Sequence, residues 1–257
     1  MKFKELDARM RVHETARDYC VLPGMYIVAR LDGRNFTRLT KEVCDFEAPF
    51  DERFRDMMLA TAEHLMDCGF KIIFAYTQSD EISLLFHPRD EAFDRKMRKI
   101  NSVLAGEASA RFSISLGMPA VFDCRVCEIP NEALLIDYFR WRSEDALRNA
   151  LSAHCYWALR REGLSPRRAA SRLDGLGTSA KNELLFERGI NFNDLPNWQK
   201  RGSGLYHETF TREARNPLTD QVVHARRRRI RRDLELPRGE DYDRFIRGVL
   251  APYLEVA

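Results

Sequence analysis

The chain has 257 residues, 32% of them charged and 44% apolar, with a formal net charge of +3. This length can bury a sizeable core in one large domain, and the composition is that of a globular protein rather than a disordered or fibrous one. No run approaches the roughly 20 apolar residues of a membrane span, and the first residues carry no apolar leader, so a cytoplasmic location is expected.

Taken in order, residues 1–25 read as a helix and then a loop broken at Pro23-Gly24. Tyr26 to Phe36 is an apolar strand running into Asp32-Gly33, where glycine permits a turn and a close approach to a ligand. Asp51 to Cys68 predicts a helix, with Phe54, Met57, Met58, Ala62 and Leu65 at spacings of three and four. Ile72, Ile73, Phe74 and Tyr76, then Ile82, Leu84, Leu85 and Phe86, predict two buried strands around the polar tip Gln78-Ser79-Asp80-Glu81. A second helix is expected from about Asp90 to Leu116, with Arg95, Lys96, Arg98 and Lys99 clustered on it. Val121 to Cys127 is another strand. The order β-α-β-β-α-β is the ferredoxin-like unit.

That topology makes a constellation. In the sheet order 4-1-3-2, strand one lies antiparallel to strand three, and Asp32 meets Asp80 at one edge. Adjacent carboxylates at the tip of an apolar hairpin repel each other, and a bound cation gives them a reason. Asp32, the Gly33 carbonyl and Asp80 offer hard oxygen ligands, which suit Mg²⁺ rather than zinc. The six cysteines do not make the disulfide framework of a small secreted protein. Cys124-x-x-Cys127 has no second pair at zinc spacing, so buried reduced thiols are expected.

Beyond Pro130 the pattern turns helical. Leu134 to Tyr138 starts a helix, and Ser143 to Arg161 continues it with Ser143 as an N-cap. Gly163 ends it, and Ser165-Pro166 fits the N-cap and N1 positions of the next. Leu173 to Ser179 is a loop whose Gly-x-Gly fails the dinucleotide fingerprint, and Lys181 follows at a helix start. Short segments around Gly202 and Gly204 predict a hairpin ahead of Arg226, Arg227, Arg228, Arg229, Arg231 and Arg232. Such a run marks nucleic-acid contact, or else a solvated helix face or a subunit interface.

Several segments together resemble the tRNA(His) guanylyltransferase family. They are Arg30-Leu31-Asp32-Gly33-Arg34-Asn35-Phe36, Gln78-Ser79-Asp80-Glu81, Phe122-Asp123-Cys124-Arg125-Val126, Tyr138-Phe139-Arg140-Trp141-Arg142, Lys181 to Phe186, and Ile190-Asn191-Phe192-Asn193. The resemblance runs from about residue 3 to residue 206. It implies a 3′–5′ nucleotidyltransferase on a polymerase-type palm in residues 1–129. Residues 130–257 would be a helical and β-hairpin elaboration with a basic C-terminal segment, continuous with the palm. Asp32, Gly33 and Asp80 are implied to hold two Mg²⁺ ions, with Asp32, Asp80 and Glu81 catalytic. Gly33, Arg34, Asn35, Phe36, Ser79, Lys96, Lys99, Lys181 and Asn191 are implied to serve nucleotide or phosphate. ATP, GTP and other nucleoside triphosphates would be substrates, tRNA the partner, and the assembly a homotetramer.

Two departures bear on function. A His-Ile-Asn-Asn motif of the guanylyltransferases proper is replaced by Leu147-Arg148-Asn149-Ala150, and a phosphate-binding lysine before a proline by Ala48, with Lys41 as a substitute. The first favours the guanylyltransferase-like branch, implied to repair 5′-truncated tRNAs on a template. G addition to tRNA(His) is the alternative. A nucleotidyl cyclase and a non-catalytic tRNA-binding protein are the readings from other classes.

Overall fold

The computed structural model describes residues 1–215 and 222–254. Helix α1 (Phe3–Thr15) precedes strand β1 (Tyr26–Gly33) and the short α2 (Phe36–Arg38). Then come α3 (Glu52–Leu65), β2 (Ile72–Gln78), β3 (Glu81–Phe86), α4 (Met97–Leu116) and β4 (Phe122–Ile129). The second half comprises α5 (Glu132–Arg161), α6 (Pro166–Leu173), α7 (Thr178–Phe186), α8 (Asn197–Arg201), β5 (Ser203–Arg215), β6 (Val222–Asp233) and α9 (Glu240–Leu254). The six strands make one antiparallel sheet in the order β4-β1-β3-β2-β5-β6.

The expected order 4-1-3-2 is therefore present, and the hairpin β5–β6 extends it on the β2 side. Alternation along the strands sorts side chains onto two faces. Ile27, Ala29, Leu31, Ile82, Leu84 and Phe86 are buried with residues of α3 and α4. Val28, Phe74, Leu85 and Tyr76 are buried with Leu135, Ile136 and Phe139 of α5 and Tyr242, Ile246 and Leu250 of α9. A third cluster joins α5, α6 and α7 around Ala150, Cys155, Leu159, Ala169 and Leu185.

The structure corrects four boundaries. The helix expected from Asp90 begins at Met97, because Phe93, Asp94 and Arg95 have φ between 54° and 56°. Phe93 packs on the Phe70 ring instead, and Asp90 accepts the Lys71 N–H at 3.3 Å. Ser143 is no N-cap; it is buried within one 30-residue helix. Asn131 caps that helix, its side chain accepting the Leu134 N–H at 2.9 Å, and no Gly or Pro interrupts it. The arginine run is neither a helix face nor a segment after the hairpin, since it forms β6 itself. Gly202 and Gly204 lie at the foot of β5 rather than at the hairpin turn, which falls outside the described residues.

Gly202 earns its place at that foot. It has φ +75°, and a Cβ there would meet the Thr77 carbonyl oxygen at 2.6 Å, so only glycine lets β5 approach β2. All six cysteines are free. Cys124 and Cys127 are half-buried, and their odd spacing sends them to opposite faces of β4. Burial pushes the Cys124 thiol up to about 12, which keeps it protonated.

Candidate active site

Apolar strands place the polar tip where it sits. β1 ends at Asp32-Gly33 because Leu31 and its neighbours fill the sheet while Gly33 closes over Phe36. A Cβ on Gly33 would lie 2.5 Å from the Phe36 ring, and that ring is buried against Phe54, Phe112 and Phe122. Phe36 thus braces the turn from below. The Gly33 N–H donates to the Asp80 carbonyl at 3.1 Å, which fastens the end of β1 to the β2–β3 turn. Ser79 in that turn has φ 53°, a left-handed conformation rare for a residue with a side chain. Its hydroxyl donates to Asp80 Oδ1 at 3.0 Å.

Asp32 stands directly across from Glu81 on β3 and from Asp123 on β4, so three carboxylates line up across three strands. They are not equivalent. Glu81 is clamped by Arg30 from β1 and Arg142 from α5. Arg142 is 7% exposed and also reaches Asp145 at 3.4 Å. Among the described residues no cation clamps Asp32 or Asp80 in this way. Burial, then the Glu81 charge, hold the Asp32 carboxyl above its ordinary value, with Arg30 opposing. Burial likewise raises Asp80, and the charges of Asp32 and Glu81 add to it against the hydrogen bonds from its own N–H and Ser79.

Three hollows converge on this turn. One of about 460 Å³ is lined by Ser79, Asp80, Lys41, Ser152, Tyr156 and Trp157 among others. A second of about 200 Å³ has Ser79 at one wall and Phe46, Phe50, Trp157 and Trp198 around it. The third, about 170 Å³, holds Asp80 and Glu81 against Arg142, Asp145 and Asn149 of α5. Ser79 lines all three.

The chain's relatives agree in kind. The sequence profile described as tRNAHis guanylyltransferase matches residues 7–130, and that of the Thg1 C terminal domain matches residues 133–238. A probable tRNA(His) guanylyltransferase of Drosophila melanogaster is 34% identical over 80% of this chain and 77% of its own length. One of Mus musculus is 36% identical over 78% and 72%. The chain belongs to the tRNA(His) guanylyltransferase family. It is a nucleotidyltransferase of that family. A bacterial tRNA(His) guanylyltransferase-like protein in complex with ATP superposes with a TM-score of 0.76 at 26% identity, covering 95% of this chain and 99% of that one. The crystal structure of the enzyme from Saccharomyces cerevisiae gives 0.70 at 29% identity, over 76% and 91%.

The family's expected site residues divide by position. Asp32, Gly33, Ser79, Asp80 and Glu81 come together. Lys181 lies behind the wall of the larger hollow, its Nζ donating to Ser152 at 3.0 Å. Arg34 and Asn35 are exposed just beyond the turn, facing a separate shallow hollow with Arg38 and Val121. Asn191 is occupied locally: its side chain accepts the Asn193 N–H and donates to Asp194. Lys96 and Lys99 lie at the opposite end of the sheet, where Cys20 bridges to Lys96. Lys96 pairs with Asp94 at 2.9 Å, and Lys99 sits over the Phe93 ring. Along β1 that end is about 20 Å from Asp32, at roughly 3.3 Å per residue.

The arginines also leave the site behind. β5 pairs with β2 only from Ser203 to Tyr206, so the rest of the hairpin runs past β2 as a two-stranded ribbon. Arg229 and Arg231 bracket Glu208 at 2.7 and 3.0 Å, Arg232 pairs with Glu63, and Arg228 donates to the Tyr253 hydroxyl at 3.2 Å. Arg226 and Arg227 are exposed further along it. Sequence reasoning missed Arg142 as the clamp, Asn149 beside Asp80, and Trp157 and Trp198. The signal for the first two was the helical period, which sets Arg142, Asp145, Asn149, Ser152 and Tyr156 on one face of α5.

Proposed function

We propose that this chain adds guanosine to the 5′ end of a tRNA through the carboxylate site on β1 and the β2–β3 turn, a polymerase-type palm. The observation that carries it is the end of β1 at Asp32-Gly33 fastened to Asp80, which lines two of the three hollows, in a chain of this family. The names of the curated relatives support guanylyl transfer over general 5′-end repair, reversing the weight the Leu147 to Ala150 departure carried.

The donor set fits Mg²⁺. Two carboxylates lie unclamped, with the backbone of Gly33 fastened beside them. Among the described residues no three His, Cys, Asp or Glu side chains form a metal cage. Mg²⁺ takes one or two carboxylates and completes its shell with waters and substrate phosphates, so this incomplete set suits it. Asp32 and Asp80 would hold the two ions, which when bound offset triphosphate charge and activate an oxygen nucleophile.

The chain's own groups do the rest. Ser79 holds the Asp80 carboxylate in place, and Gly33 leaves room for the Phe36 ring that braces the turn. Lys41 lines the larger hollow and Lys181 reaches Ser152 in its wall, so both would place positive charge near a triphosphate, Lys41 taking the part of the lysine that Ala48 replaces. Trp157, Trp198, Phe46 and Phe50 provide flat apolar surface for the base of ATP or GTP. A 5′-monophosphate end is adenylylated by ATP, releasing pyrophosphate. The 3′-hydroxyl of the incoming GTP then attacks the activated 5′-phosphate and expels AMP. Arg226, Arg227, Arg228, Arg229, Arg231 and Arg232 would meet RNA phosphates at a distance from the chemistry. Lys96 and Lys99 are too far from Asp80 to serve the same chain's site, so they act on RNA or in a second copy's site, as in a homotetramer. Sedimentation equilibrium reads the copy number, and a monomer would remove that reading.

A second reading is favoured by one observation. Leu147 and Ala150 offer no side-chain hydrogen bond to a base, so base choice would fall to pairing with the opposing 3′ strand, and the activity would extend to truncated tRNAs. Two 5′-truncated tRNAs differing only in the template base, C or A, separate the readings. G added opposite both supports guanylyl transfer, and G opposite C with U opposite A supports templated repair. No incorporation into either, nor into tRNA(His), would contradict both.

A further inference from the structure

Helix α5 turns one face to the hollow of about 460 Å³ that contains Asp80. Ser152 and Tyr156, one turn apart on that face, both line it together with Ser79 and Lys41. Each of the two also holds a lysine. Lys41 Nζ lies over the Tyr156 ring, 5.7 Å from its centre, and Lys181 Nζ donates to the Ser152 hydroxyl at 3.0 Å.

The two lysines are placed differently. Lys41 lines the hollow itself, whereas Lys181 stands behind the wall and Ser152 occupies the surface in front of it. The backbone of Lys181 is pinned to α5: the buried Cys155 donates its thiol to the Lys181 carbonyl at 3.3 Å. Leu184 and Leu185, on the same helix as Lys181, are buried with Cys155 and Leu151 of α5. Among the described residues no carboxylate pairs with Lys181, so a neutral hydroxyl is what its ammonium meets. A cation held in this way keeps its charge for an anion.

The hydroxyl between them can pass that charge on. A serine side chain has two acceptor lone pairs and one proton to give. In Ser152 a lone pair takes the Lys181 N–H, and the proton goes to the Arg148 carbonyl four residues back, at 3.0 Å. That carbonyl is also the one to which the helix ladder directs the backbone N–H of residue 152, so the hydroxyl can leave it without breaking a backbone bond. Rotation of the O–H then turns the proton toward the hollow, where a phosphate oxygen is the stronger acceptor. The ammonium stays on the other side, and a hydroxyl that accepts from a cation donates its own proton more strongly.

We propose that Ser152 is the residue through which Lys181 acts: its hydroxyl donates to a phosphate oxygen in the hollow and carries the lysine's charge to it. Ser152 touches the phosphate, and Lys181 positions and polarises Ser152 from behind. The phosphate belongs to the nucleoside triphosphate of the proposed reaction. The inference rests on that reading for the ligand's identity and on the α5–α7 geometry for the rest.

A double-mutant cycle of Ser152→Ala and Lys181→Met, read by calorimetric titration of inorganic tripolyphosphate with Mg²⁺, tests this without requiring turnover. Each single change is expected to weaken binding roughly tenfold, the scale of one hydrogen bond to a charged group. The double change should weaken it no more than about twofold further, because the two residues act as one contact. Alanine favours a helix more than serine does, so unfolding would not account for the loss at position 152. Ser152→Thr keeps the hydroxyl and should recover most of the affinity. Losses that multiply in the double variant, to roughly a hundredfold, would show Lys181 reaching phosphate by itself and would overturn the inference. So would wild-type affinity in Ser152→Ala, a threonine variant as weak as the alanine one, or no binding to wild type. Coupled losses in a protein that incorporates no nucleotide would count against the carboxylate chemistry and leave this contact standing. Independent losses in a protein that incorporates normally would do the opposite.

Discussion

Asp32→Asn and Asp80→Asn are each expected to lower nucleotide incorporation by roughly a thousandfold or more, the scale on which removing a transition-state charge partner acts. The same changes should leave the apoprotein as stable as wild type or more so. Both carboxyls have folded-state pKa values raised by burial and by neighbouring carboxylates. A carboxylate whose folded pKa is raised penalises the fold at pH values above it, and the penalty disappears as pH falls through that value. The neutral amide removes the penalty at pH 7, so the gain over wild type should shrink on acidification. Urea titrations at pH 7 and pH 4 in EDTA check the sign. A large loss of stability at pH 7 would mean that these carboxylates hold the fold together, and the activity loss could then not be read as chemistry.

Arg142→Ala should do the reverse, unfolding the site's support while touching none of the reacting groups. Arg142 is buried, bonds Glu81 and Asp145, and lies over the Trp141 ring at 4.7 Å. Removing one partner of a buried ion pair leaves the other charge uncompensated, at a cost of about 3–5 kcal/mol. Arg30 retains part of the Glu81 charge, which sets the expectation at the lower end, about 3 kcal/mol. Arg142→Lys should recover only part of it, since an ammonium cannot present the planar fork of donors that spans two carboxylates. The denaturation midpoint measures this directly. A shift of less than about 0.5 kcal/mol, the level of an ordinary surface substitution, would show the clamp to be incidental.

Much of this site is legible in the sequence, for identifiable reasons. Asp32 and Asp80 each follow a run of apolar strand residues, and the β-α-β-β-α-β order brings those strand ends together. Period-two burial on either side of a polar tip is a strong signal. The position of Lys96 and Lys99 was in principle readable too: α4 begins where β3 ends, so its first turn lies at the far end of the sheet. Ser143 misled because a serine followed by two acids mimics a helix start, whereas continuous apolar packing decides. The arginine run misled because charge carries no period, and pairing with β5 made it a strand. Trp157, Trp198 and Asn149 were hidden for a different reason. They reach Ser79 and Asp80 from elements more than 60 residues away, and only tertiary packing shows which face of α5 turns to the carboxylates.

Addition at the 5′ end runs against the usual direction of polymerisation. Incubating a 5′-monophosphorylated tRNA(His) lacking its first guanosine with ATP, α-labelled GTP and Mg²⁺, then mapping the labelled nucleotide, tests it most directly. One labelled guanosine joined ahead of the original 5′ residue is expected, dependent on ATP and absent with Asp80→Asn. Label at the 3′ end, or no label with wild-type protein, would contradict it.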